Sequence, residues 1–155
     1  AILATITIVA YNGIQQRATN TKMVAMVSQY SKLLASYAAE KSTYPGVIGA
    51  STTNNLVCLD GSSTCWVDGD ATKSATLRTE LSAYSSSFPS AANSVLTYGT
   101  QTMEVGGSSR TGYYIVYVTS GNSPCPAITG LTYINMYLDS NGTNRRCRMG
   151  LPNPS

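Results

Sequence analysis

The sequence contains no histidine. That removes the commonest general base and the commonest metal ligand together. Carboxylates are scarce too: Glu40, Asp60, Asp68, Asp70, Glu80, Glu104 and Asp139 complete the set. Serine and threonine are abundant, but with no histidine and no Gly-x-Ser-x-Gly there is no nucleophile–base pair to assign. The chain therefore reads as a non-enzyme with no cofactor. Charged residues make up only 11% of it, well below the roughly 25% of an ordinary soluble domain. Ser, Thr, Asn and Gly take their place. A surface poor in charge suits a subunit packed against copies of itself, because each buried charge must be paired. An ordinary secreted domain rich in Ser and Thr has the same composition, so composition leaves both readings open. The net charge of +3 is too small to imply a nucleic-acid partner by itself.

Four cysteines are present: Cys58, Cys65, Cys125 and Cys147. Four allow three connectivities. Cys58 and Cys65 bracket the turn-rich segment Leu59-Asp60-Gly61-Ser62-Ser63-Thr64, while Cys125 and Cys147 flank a strand-like run. Sequential pairing, 58 with 65 and 125 with 147, closes two short loops and is the expected arrangement. A metal site is disfavoured, since neither Cys-x-x-Cys nor histidine occurs. An even number of cysteines in a secreted-looking chain points to disulfides and an oxidising compartment.

Residues 1–10, Ala-Ile-Leu-Ala-Thr-Ile-Thr-Ile-Val-Ala, carry no charge. As helix they reach only ~15 Å, about half a bilayer core. From Ile14 to about Ser42 the pattern is helical: Met23, Val27, Tyr30, Leu34 and Tyr37 form one apolar stripe. No proline interrupts residues 1–44, and Tyr44-Pro45-Gly46 then stops the helix. A helix of this length, ~63 Å, is longer than the head that the remaining chain can build. One end must project, and it is the apolar end. An apolar helix end does not stay bare in water, so it needs a membrane or copies of itself.

Residues 46–70 read as loop. Asp70 is a candidate N-cap for a short helix over 71–84, with Leu77, Leu81 and Tyr84 on one face. Strand signals follow at 95–98, 113–119 and 131–138, with a last short segment at 145–149. A helix followed by hairpin-linked strands predicts an α+β fold, the helix stripe covered by an antiparallel sheet.

Over residues 1–45 the chain resembles a known family. Ala1 through Gly13 is similar to the latter half of the N-terminal segment of type IV pilins and the related type II secretion pseudopilins. Gln15-Gln16-Arg17-Ala18, the helix from Met23 onward and the Tyr44-Pro45 boundary follow the same pattern. Beyond residue 45 the resemblance rests on element order and on a C-terminal cysteine pair like the one that staples the final loop of many pilins. It implies a pilin-like α/β-roll. Residues 1–22 would be a projecting assembly helix and residues 23–155 a head that includes the rest of the helix. It also implies anchoring in the inner membrane before assembly, contact with the pilus assembly machinery, and polymerisation into an extracellular filament. Ile2, Leu3, Ile6, Ile8, Val9 and Ile14 would then pack in the filament core. Met23, Val27, Tyr30, Leu34 and Tyr37 would anchor the sheet. Adhesion, twitching motility and DNA uptake are all roles of such filaments. A minor pilin or pseudopilin, and a membrane-tethered surface binding module, are the alternatives.

Two departures stand out. The family's cleavage-site glycine and the glutamate shortly after it have no counterpart, the fifth residue being Thr5; further residues are expected before Ala1. The proline common in this segment is replaced by Val9. The β-branched run Thr5-Ile6-Thr7-Ile8-Val9 costs ~2–3 kcal/mol of helical preference and Gly13 about 1 kcal/mol more. Residues 1–10 are therefore expected to lose regular helix most readily in an assembled fibre.

Other motifs carry weaker expectations. Arg145, Arg146 and Arg148 crowd Cys147 and are candidates for contact with DNA phosphates or a host surface, or else form a solvated or subunit-packing basic patch. Asn141-Gly142-Thr143 is a glycosylation-type triplet. Asp60, Asp68 and Asp70 lack the spacing of a calcium loop and read better as turn and cap residues. Trp66 is expected to pack on the disulfide beside it.

Overall fold

The computed structural model describes residues 2–46, 55–59, 71–90, 96–105, 108–138 and 142–154. The fold is α+β. Helix α1 spans Ile2–Lys41, strand β1 Asn55–Cys58, helix α2 Ala71–Leu81, and strands β2 to β5 span Leu96–Val105, Ser108–Ser120, Thr132–Leu138 and Asn144–Gly150. The strands form one antiparallel sheet in the order β1-β2-β3-β5-β4. β3, with its Tyr113–Val118 run, lies at the centre.

α1 is continuous through the β-branched run and Gly13, so in the single chain the local penalty does not break it. It ends at Lys41, where Ser42 takes a left-handed conformation (φ 54°), the usual geometry after a last helical turn. Met23, Met26, Val27, Tyr30, Leu34 and Ala38 are buried along one stripe. They share a core with Ile115 and Tyr117 of β3, Met149 and Cys147 of β5, and Leu77 and Leu81 of α2. Burying large apolar side chains stabilises by about 1.5–3 kcal/mol each. Tyr37 is only half-buried; its ring meets Tyr84 edge-on at 5.7 Å.

Several expectations are corrected. Residues 55–58, read as loop, form edge strand β1 paired with β2. The run is too short for periodicity to separate it from its turn-like flanks. β2 and β3 extend well beyond their apolar centres, because Thr100–Val105 and Ser108–Tyr113 pair with each other across the hairpin; cross-strand pairing outweighs weak strand propensity. The strands are not a simple succession of hairpins either. β5 inserts between β3 and β4, so residues 121–131 cross over to the far edge. α2 is also shorter than expected: it ends at Leu81, and residues 82–84 form a turn in which the Tyr84 N–H donates to Leu81 O.

The crossover is held by the Cys125–Cys147 disulfide and by Ile128 in the core. The Tyr117 hydroxyl donates to Pro126 O at 3.3 Å. Cys58 is also disulfide-bonded; its expected partner Cys65 lies outside the described residues. At the C-terminal end of α1, the Tyr44 hydroxyl donates to Pro152 O (2.9 Å), its ring packs on Tyr113, and the Leu151 N–H donates to Tyr113 O.

Tyr30 links three segments. It is fully buried, and its hydroxyl lies 2.5 Å from Leu59 O and 2.9 Å from Pro89 O. One proton is shared between two carbonyls, so α1 is tied both to the end of β1 and to the segment after α2. Tyr30→Phe leaves both carbonyls without this donor. The expected loss is about 1–3 kcal/mol, read as a lower urea midpoint with an unchanged m-value; a midpoint equal to that of the parent protein would contradict the assignment.

Candidate functional site

Helix α1 presents two faces, and only one is used by its own head. At 100° per residue, Tyr11, Ile14, Ala18, Thr21, Ala25, Gln29, Lys32, Ser36 and Ala39 lie on the side away from the buried stripe, and all are exposed. The first two are large: Tyr11 and Ile14 are 61% and 66% exposed. The rest, Gln29 and Lys32 excepted, are small, and small side chains let another helix approach closely. Residues 11–19 are exposed all round. Of the residues assigned to a filament core, Ile14 is thus an open surface residue in the single chain. The side chains of Ile2, Leu3, Ile6, Ile8 and Val9 lie outside the described residues, although their backbone is helical. The charged residues of α1 before Glu40 are Arg17, Lys22 and Lys32, all basic.

The helix leaves the head at Asn20. Its side-chain amide donates to Ser120 O (2.9 Å) and its carbonyl accepts from the Ser120 N–H (2.8 Å). The amide acts as one more strand partner at the last residue of β3. Beside it, Gly121 has φ +84°, and a Cβ placed there would come within 3.1 Å of Gln16 Oε1. A side chain at 121 would be strained in its backbone and crowd the helix. The Gly121 N–H donates to Thr143 O (2.9 Å). No sequence signal marks the Asn20 contact: an Asn on a predicted helix carries no sign of a partner on a distant strand.

The three arginines near Cys147 do not converge. In β5 alternate residues face opposite sides. Arg145 shares the helix side with Cys147 and Met149, where it bonds to Asn122 Oδ1 and Met136 Sδ. Arg146 and Arg148 point to the other side, where the Arg148 guanidinium sits 5.3 Å above the Tyr114 ring. The expected single basic cluster is corrected accordingly: strand alternation divides it. On that outer side Tyr114 and Val116 are buried with Ile134 against them. A bulge between Tyr133 and Asn135 brings Ile134 over Gly150, where an added Cβ would meet its Cδ1 at 3.0 Å.

The far edge strand β4 is open. Tyr133, Met136 and Leu138 are 47%, 40% and 50% exposed, and Thr132–Leu138 carries no charge. At the C-terminal end of α1, Glu40 accepts from the Tyr84 hydroxyl (2.7 Å) and pairs with Lys41 (2.7 Å). These bonds lower the Glu40 carboxyl from its ordinary pKa, the Lys41 contribution first.

Among the described residues no cluster of His, Cys, Asp or Glu is placed to hold a metal ion, and no helix is long and apolar enough to cross a membrane. Asp60, Asp68, Asp70, Trp66 and Asn141 lie outside the described residues. Comparison with known proteins yields no match of any kind: no family, no curated protein and no solved structure.

Burial pushes the Tyr114 and Tyr117 hydroxyls up to about 12, with nearby Arg148 opposing the rise at Tyr114. A phenol whose pKa is raised on folding stabilises fully below its unfolded value, near 10, and the contribution is lost as pH rises through its folded value. Stability is therefore expected to fall between about pH 10 and 12. Tyrosinate absorbance should show these two of the 11 tyrosines ionising only as the fold is lost. Titration of every tyrosine near pH 10 with the fold intact would contradict this.

Proposed function

We propose that this chain is a structural subunit that polymerises through helix α1 into a cell-surface filament, in the manner of a type IV pilin. The observation that carries the reading is how much of α1 its own head leaves uncovered. A helix of 40 residues binds the head along a stripe that begins only at Met23. Before it, Tyr11 and Ile14 stand open in solvent, and behind it the small residues Ala18, Ala25, Ser36 and Ala39 recur along the face, with Gln29 and Lys32 among them. Large side chains at one end and small ones along the back suit a helix that packs among copies of itself. The low overall charge and the disulfide-held crossover, suited to an oxidising exterior, fit the same reading. So does the pilin-like order of a long helix, an antiparallel sheet and a C-terminal cysteine pair. The partners are copies of the same chain, with membrane anchoring and an assembly machinery before polymerisation. Contact of the finished surface with DNA or host cells belongs to the same proposal.

A second reading is favoured by one specific observation. Arg17, Lys22 and Lys32 give the open part of α1 one sign of charge, which also suits an anionic membrane surface. On that reading the protein is a tethered surface binding module, and the helix back faces lipid.

The two readings separate on Ile14→Glu and Ala25→Glu. Both sites are exposed, so the isolated protein should keep its melting temperature to within about 2 °C. In a fibre each variant would bury an unpaired charge between helices. Thin fibres sheared from cells, checked by mass spectrometry for this chain, should fall at least about tenfold in each variant. Undiminished fibres, or a parent protein recovered only from membranes, would refute polymerisation through this face.

A further inference from the structure

We infer that the Asn20–Ser120 clamp is a latch that sets the angle at which the projecting part of α1 leaves the head. This rests on the filament reading above and names a positioning residue for it. Met23 is the first residue of the buried stripe; every residue from Tyr11 to Thr19 is exposed. Between them, the reciprocal pair of hydrogen bonds from Asn20 attaches helix to sheet. Gln16 lies close to Gly121 one turn further out.

The geometry makes this a lever. Met23 lies about 4.5 Å along the axis from Asn20 and about 32 Å from Ile2. A displacement allowed at Asn20 is therefore multiplied about sevenfold at Ile2. A helical polymer repeats its angle at every subunit, so small freedom at the latch becomes a different packing or none. Opening the latch breaks two part-buried hydrogen bonds and leaves the stripe from Met23 onward in place, so it opens without unfolding the head. The amide is suited to this position. One planar group both donates and accepts across Ser120, which neither Asp at neutral pH nor Ala can do.

The test is made on the unpolymerised protein, so it decides the latch whether or not fibres form. Spin labels on noncanonical residues at exposed Gln15 and Thr132 report the helix-to-head distance by double electron–electron resonance. The parent protein should give one narrow distribution. Asn20→Ala and Asn20→Asp should broaden it by about 3–5 Å. Asn20→Ala should also speed exchange of the Ser120 amide about tenfold, whereas Asp keeps an acceptor for that N–H and loses only the donor to Ser120 O. Amides of Val27 and Tyr30 should keep their protection in both. Tyr30→Phe, which weakens the head elsewhere, should leave the distribution narrow. Distance distributions in both Asn20 variants as narrow as the parent's, whatever the Ser120 exchange rate, would overturn the inference.

Discussion

The packing of one stripe of α1 on β3 and β5 is the contact on which the rest of the structure depends. Met23, Val27, Tyr30 and Leu34 share one core with Ile115, Tyr117 and Met149. The same core takes Leu77 and Leu81 from α2 and Ile128 from the crossover. Each later segment is added against this contact. Tyr30 draws in the ends of β1 and of the segment after α2, Tyr44 draws in the C-terminus, and the Cys125–Cys147 bond ties the crossover to β5. Because the stripe begins only at Met23, the same contact leaves residues 11–19 of the helix uncovered.

The helix outruns its head for a physical reason. A head of this size can cover only some ~20 residues of helix on one side. The rest of α1 is held as helix by its own hydrogen bonds and whatever packs against it. The run Thr5–Val9 is helical despite its β-branched content. A propensity of a few tenths of a kcal/mol per residue decides little once a helix is propagating.

Much of this was legible in the sequence. The spacing from Met23 to Tyr37 marked the buried stripe, missing Met26 and Ala38 on its flanks and the partial exposure of Tyr37. Pro45 and Gly46 marked the helix end, expected at about Ser42 and found at Lys41. The Tyr113–Val118 run marked the central strand, and the C-terminal cysteine pairing followed from loop closure. The remainder depended on contacts that sequence pattern does not encode. β1 exists because β2 offers it an edge, and the polar half of β3 is strand because its hairpin partner is. Arg145 is separated from Arg146 and Arg148 by strand alternation, which their closeness in sequence conceals. The outward face of α1 was the hardest feature to see. Ala18, Ala25 and Ala39 recur at multiples of seven with Lys32 between them, and small residues carry no hydrophobic signal of their own. Their meaning appears only once the other face is known to be occupied.

The central claim is that copies of the same chain cover the back of α1. Photo-cross-linking from position Ala25 in the native assembled material tests it most directly. A photoreactive residue there should capture α1 of another copy, with the linked peptides falling within Ile2–Lys41. Cross-links to lipid alone, or to an unrelated protein with no linked copies of this chain, would contradict the account.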